Sequence, residues 1–416
     1  MKTTLLLLLL VFQAIAYAPD TAAQVHHRLM GDRHFSSPVG AENLLTLHKG
    51  LFVLEDRVLK PRWTAEQTLQ GKLLGVTYRL GKGILLDYPV DLMLALVQHE
   101  VFGHGARARE FGLTTEKYKL WLPWPYGPQG GYISVSGQRQ PLHEGITFTM
   151  DGVGGNAVLA SRVRDRGFQR GRLHYREALL YILASNDLSS YIFKTPTTGP
   201  APRNDIRSFL AHLDQYERFP GAGFAENHLD LHDLRRLVLV QAVNPYLALT
   251  LYAFAVHYLW RGEPTYELPA FHVRGIRYLP AIQMGLTPFG VEYFFENLLA
   301  RDGTLLKVYA RYGDGPPGAS AGGGLHATCL LCSGPLNLDL HLDVWAQPNV
   351  ALDEQDLNAL GRSAGGSVQA TLFYRIRRPQ PSLYLVGQVG YKTRGFLPGE
   401  YLDEGVLLRI GLSFQE

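Results

Sequence analysis

Residues 336–344 read Leu-Asn-Leu-Asp-Leu-His-Leu-Asp-Val, so Leu336, Leu338, Leu340, Leu342 and Val344 alternate with Asn337, Asp339, His341 and Asp343. A strict period of two scatters apolar groups around a helix but sorts them onto one face of a strand, leaving the polar residues on the other. Val368, Ala370, Leu372, Tyr374 and Ile376 repeat the pattern, as do Val406, Leu408, Ile410, Leu412 and Phe414. Leu305–Tyr312 and Leu383–Tyr391 also read as strands. Breaks rich in Gly and Pro, at 313–324 and 397–399, suit the turns of an antiparallel meander. Residues 303–416 are therefore predicted to form an antiparallel β domain, either a sheet or a partial β-barrel.

The region before it has a different texture. Residues 72–302 are predicted to be mainly helical, after a mixed segment over 24–71. Leu73–Leu80 is expected as a strand and Gly145–Thr149 as strand-like. Leu237–Trp260 runs for 24 residues without a charge, interrupted by Asn244-Pro245. Its length allows a membrane span, and its proline equally allows a kinked core helix. The whole chain is thus expected to be α+β.

The N-terminus bears on location. Met1-Lys2 precede an apolar run from Leu5 to Phe12, followed by the small residues Ala14, Ala16, Ala18, Ala22 and Ala23. This is the pattern of a secretory signal peptide over residues 1–23. The chain is expected in the periplasm or cell envelope, the outer membrane included. The formal net charge of +3 over 416 residues gives no basic footprint for nucleic acid, and two cysteines cannot build a four-cysteine zinc module. Cys329 and Cys332 are expected to close a local disulfide in an oxidising compartment.

One segment carries chemistry: His99-Glu100-Val101-Phe102-Gly103-His104. Two imidazoles are suitable zinc ligands, and a neighbouring carboxylate can take a proton from an activated water. Histidines four apart on a helix share a face. These are five apart, which on a regular helix separates them by about 140°. A one-residue π-bulge would realign them, and Gly103 tolerates the unusual backbone angles of such a bulge.

The His-Glu-x-x-Gly-His string, six residues long, resembles the motif of the dipeptidyl peptidase III family of zinc peptidases. In that family the longer spacing is accommodated. The resemblance implies His99 and His104 as zinc ligands and Glu100 as the general base. The sequence also suggests a zincin-like helical domain. The closing run Ile410–Phe414 resembles the last strand of bacterial outer-membrane barrels.

A hydrolytic zinc site needs a third protein ligand. Asp151 is the first candidate, with a helix N-cap as its alternative role. Glu177 is the second, and Glu110 and His143 follow. His143, Tyr132 and Arg107 are further candidates for oxyanion or substrate contacts. Gly130–Val135 reads as a short strand whose edge could align a peptide. Together these features predict an exported zinc metallopeptidase acting on peptides or proteins, with membrane association open. The alternatives are an outer-membrane β-barrel-type protein and a non-catalytic envelope binding protein whose His/Glu cluster is structural.

Overall fold

The computed structural model describes residues 25–58, 68–137, 141–197, 204–218, 229–333, 335–351, 361–377 and 382–415. The signal peptide expected over residues 1–23 lies outside them. The order begins with strand β1 (His26–Gly31), helix α1 (Ser37–Val58) and helix α2 (Leu69–Lys82). A π turn (Gly83–Asp87) leads into α3 (Tyr88–Val97), and a second π turn (Gln98–His104) leads into α4 (Gly105–Glu110). The hairpin β2 (Thr114–Leu120) and β3 (Gly131–Ser136) precedes the long helix α5 (Leu142–Arg170). Next come β4 (Arg172–His174), α6 (Tyr175–Ser185), α7 (Asp187–Lys194), α8 (Asp205–Leu213), α9 (Leu231–Leu237) and α10 (Pro245–Tyr252). Short strands β5 (Thr265–Glu267) and β6 (Phe271–Val273) follow. The remainder is β7 (Ile276–Thr287), β8 (Gly290–Arg301), β9 (Thr304–Asp314), β10 (Ser320–Ser333), β11 (Leu336–Pro348), β12 (Arg362–Arg377), β13 (Ser382–Lys392) and β14 (Gly405–Gln415).

The expected meander is present and larger than its sequence pattern indicated. Ten strands form one sheet in the order β1-β14-β13-β12-β11-β10-β9-β8-β7-β6, with every pairing antiparallel. It begins well before residue 303, because β7 and β8 belong to it, and it recruits β1 from the N-terminal segment. β10 starts inside the stretch read as a break: Gly322, Gly323 and Gly324 pair with Arg311, Ala310 and Tyr309. Two other expectations fail. Leu73–Leu80 lies in α2 and Gly145–Thr149 in α5, both helical.

The sheet bends tightly. β1 and β11 stand four places apart in the order, roughly 19 Å in a flat sheet. Yet Arg28 on β1 donates to Asp339 on β11 at 2.5 Å, and His26 stacks on Phe373 of β12 with ring centroids 4.3 Å apart. Only a strongly curled sheet brings these side chains together across its concave face. Helix α5 lies against that face, tied by ion pairs from Arg164 to Glu296 and from Asp165 to Lys307. Apolar clusters that include Ile146, Met150, Leu159 and Val163 bind it to the surrounding helices and to residues of β7 and β8 such as Met284 and Leu298. Asn244 caps α10 and breaks the charge-free run, so Leu231–Val243 and Pro245–Arg261 meet at a 64° bend. No single helix among the described residues is long and apolar enough to cross a membrane.

Candidate metal centre

The π turn at Gln98–His104 is the local event that builds the site. Its wider winding carries His104 back toward the face of His99, removing the offset that five-residue spacing creates on an α-helix. Both histidines and Glu100 are buried. Gly103 has another job than the one its sequence position suggested. It is absent from the positive-φ residues, but a Cβ there would press on the Asp151 carbonyl and the Gly152 Cα at under 3.0 Å. Glycine is needed for the close crossing of this turn over α5. Gly152 completes the crossing: a Cβ there would lie under 3.0 Å from Nε2 of both His99 and His104. Gln98 ties the turn to its neighbours, donating to the carbonyls of Ser37 and Gly155 at 3.0 Å each.

The third member of the group is Asp205, at the start of α8. Asp205 Oδ2 lies 3.2 Å from His99 Nε2 and 3.3 Å from His104 Nε2, and the two Nε2 atoms are 3.3 Å apart. These three residues are a group of potential ligands among the described residues. Ligand atoms set tetrahedrally at about 2.0 Å from a zinc ion lie about 3.3 Å from one another, so the triangle has the edge length of a zinc site. The outer nitrogens are committed elsewhere. His99 Nδ1 meets Asp187 Oδ2 at 3.0 Å, and His104 Nδ1 meets the Phe148 carbonyl at 2.6 Å. With Nδ1–H donating in each ring, both Nε2 lone pairs face the Asp205 carboxylate. Asp187 is held in turn by Asn156, which donates at 2.7 Å. Tyr191 lies flat against His99, with centroids 5.2 Å apart and planes at 16°.

Electrostatics match a cation-binding pocket. Burial pushes the Asp205 carboxyl up, but His104 and His99 outweigh it and hold it well below the usual carboxylate range. Burial opposes a charge on His99, whereas Tyr191 and Asp187 push its pKa well above the ordinary value. His104 is raised by Asp205 against the same burial. Glu100 is raised chiefly by burial, with the two imidazoles pulling the other way. Gly131, at the start of β3, sits directly beside the Glu100 side chain. β3 pairs only with β2 among the described residues.

The other sequence candidates are engaged elsewhere. Asp151 is not an N-cap but lies within α5, where it accepts from Arg107 Nε at 2.9 Å. Glu177 pairs with Arg170 at 2.6 Å and closes the capping box of α6. Glu110 accepts from Arg107 and from the Leu402 amide. Arg107 is buried between Asp151 and Glu110, which leaves it no exposed face for substrate. His143 is buried against Tyr216 and the Ala351 backbone. Burial lowers its pKa to about 4. Tyr132 follows Gly131 on β3 and packs against Trp121. Cys329 and Cys332 form the expected disulfide.

Sequence reasoning missed Asp205 and Asp187. Each had a local signal. Asn204-Asp205 is a helix-start pair, and Asn204 does cap α8; Asp187 interrupts the apolar stretch Ala178–Phe193. No protein-family model, no curated protein and no solved structure matches the chain.

Proposed function

We propose that this chain is an exported zinc-dependent hydrolase of the metallopeptidase type, with a zincin-like helical region. His99, His104 and Asp205 hold the metal, and Glu100 is the general base. The triangle of donor atoms at 3.2–3.3 Å carries the reading. Its support is the inward aim of both Nε2 atoms, the missing Cβ at Gly152, and a carboxylate adjacent in sequence to one ligand. The motif's resemblance to that of the dipeptidyl peptidase III family points the same way.

A zinc ion held there supplies Lewis acidity, acidifying water and polarising a carbonyl. Glu100 accepts the proton of the attacking water and returns it to the leaving amine. Asp187 and the Phe148 carbonyl keep the imidazoles from rotating. Asp205 closes the set from the more open side, its side chain 26% exposed where His99 is 2%. The unpaired side of β3, beginning beside Glu100, offers backbone groups to an extended peptide, which favours peptide over other acyl substrates. The N-terminal apolar segment and the disulfide support export to an oxidising compartment.

The test is Glu100→Gln, assayed for peptide hydrolysis alongside metal analysis. The expected outcome is a fall in kcat of about 10²–10⁴-fold with zinc content unchanged. Wild-type turnover in the variant, or a wild-type protein that takes up no zinc in metal-replete medium, would overturn the reading.

A further inference from the structure

Strands β11 to β14 are inside out for a protein in water, whereas β7 and β8 also turn apolar residues such as Leu279, Met284, Leu286 and Leu298 inward. On β11, Asn337, Asp339, His341 and Asp343 are buried on the concave face, while Leu336 and Val344 lie exposed on the convex one. On β14, Val406, Leu408 and Ile410 are 67%, 68% and 65% exposed, while Arg409 between them is 3% exposed. The same inversion runs through β12, where Val368, Leu372, Tyr374 and Ile376 point outward and Ser367, Gln369 and Thr371 are buried. On β13, Leu385, Val389 and Tyr391 are outward against buried Gln388 and Lys392. The alternation that made this region legible as β therefore has its polar face inside.

We propose that the convex face of this sheet is a lipid-facing wall, and that its partner is the hydrocarbon core of a bilayer. Burying charges while exposing leucines is unfavourable against water and favourable against acyl chains. From Val368 to Ile376 the outward apolar positions of β12 cover about 27 Å along the strand, which at the usual tilt of barrel strands is roughly 20 Å of depth, most of the apolar band of a membrane barrel. Curvature argues against a second copy as the occupant. Two convex surfaces touch along a line, so a partner chain could cover only a few of the strands from β11 to β14.

The sheet edges supply a separate observation. Open strand edges are not tolerated in hydrocarbon, and here helix side chains take up backbone groups of β1 at one edge and one carbonyl of β7 at the other. Asn43 of α1 accepts from the Met30 amide of β1 at 2.7 Å and donates to its carbonyl at 2.9 Å. Thr46 donates to the Arg28 carbonyl at 2.7 Å. At the opposite edge Gln241 donates to the Met284 carbonyl of β7 at 3.1 Å. Past Thr46, α1 turns Leu47, Leu51, Leu54 and Val58 outward, a further apolar stripe at helical spacing. The wall and the metal centre are independent: neither needs the other to be correct.

The experiment uses the full chain. Membranes from cells expressing it are washed with alkaline carbonate, and the protein is then purified in detergent and placed in phosphatidylethanolamine/phosphatidylglycerol vesicles. Val389→Cys, Leu408→Cys and, off the apolar band, Asp403→Cys are labelled with an environment-sensitive fluorophore. The expected result is retention through the carbonate wash. Doxyl-lipid quenching at 389 and 408 should exceed that at 403 by several-fold, with the order reversed for aqueous iodide. Three results would overturn the proposal: a monodisperse protein recovered without detergent, a soluble dimer that shields 389 and 408 from both quenchers, or iodide quenching at all three positions.

Discussion

Asp187 does not reach the proposed metal position, yet it orients the imidazole of His99 that would serve there. Its carboxylate fixes the ring through Nδ1 at 3.0 Å and is itself fixed by Asn156. Asp187→Asn keeps the shape but removes the charge that makes His99 a better donor, so zinc affinity should fall about 10–100-fold. Competition against a chromophoric chelator measures this, and an unchanged affinity would show that Asp187 merely fills space. Glu177 is the counter-case, a carboxylate spent on stability. Burial pushes it up, but Arg170 and His174 overcome that and hold it at about 2, below its ordinary 4.5. Because the folded value lies below the unfolded one, its stabilising contribution is complete above pH 4.5 and drains away as pH falls toward 2. Glu177→Gln should therefore lower the melting temperature at pH 7, and the gap from wild type should shrink steadily below pH 4.5. A gap independent of pH would remove the ion pair from the account. Sequence singled out Glu177 and passed over Asp187, because the histidine that gives Asp187 its role arrives from 88 residues away, whereas the arginine that engages Glu177 lies only seven residues before it.

At the scale of elements, the site is a crossing of two helical segments that come unusually close. His99 and His104 could be read as a pair from their order alone, together with the need for a π turn, since that need follows from helix geometry. The role of Gly152 could not, because it appears only when α5 is laid across the turn. Asp205 was hidden for a related reason: α8 follows a stretch without periodicity, and nothing local says that its first turn points at residues a hundred positions earlier. Gly152→Ala tests the crossing. The added methyl would occupy the space in front of both Nε2 atoms, so the variant should retain its helical circular dichroism while holding far less than one equivalent of zinc. A full equivalent of bound zinc would mean that α5 can shift aside and that the crossing is not what positions the triangle.

For the whole molecule, the alternating strands specified β structure and antiparallel order, but not which face would be inside. That choice rests on what α5 presents to the concave side, namely Arg164 and Asp165, and a polar helix face selects the polar face of the sheet. The N-terminal strand was illegible for a different reason, since β1 is completed by its distant pairing with β14. Neighbouring residues on β14 now make opposite predictions. Arg409 is buried on the concave side, bonded to Asp32 and Glu400, so Arg409→Leu strands two carboxylates and should cost about 3–5 kcal/mol in any solvent. Leu408 points the other way. Were its surroundings water, Leu408→Arg would change stability by no more than about 0.5 kcal/mol, as surface substitutions usually do. In lipid the same change should cost about 2–4 kcal/mol near the middle of the bilayer. Reversible urea unfolding in lipid vesicles compares the two variants in one medium. If Leu408→Arg proves neutral there while Arg409→Leu is destabilising, the buried polar face is real but its counterpart does not meet hydrocarbon. A loss in both places the two sides of one strand in two different solvents.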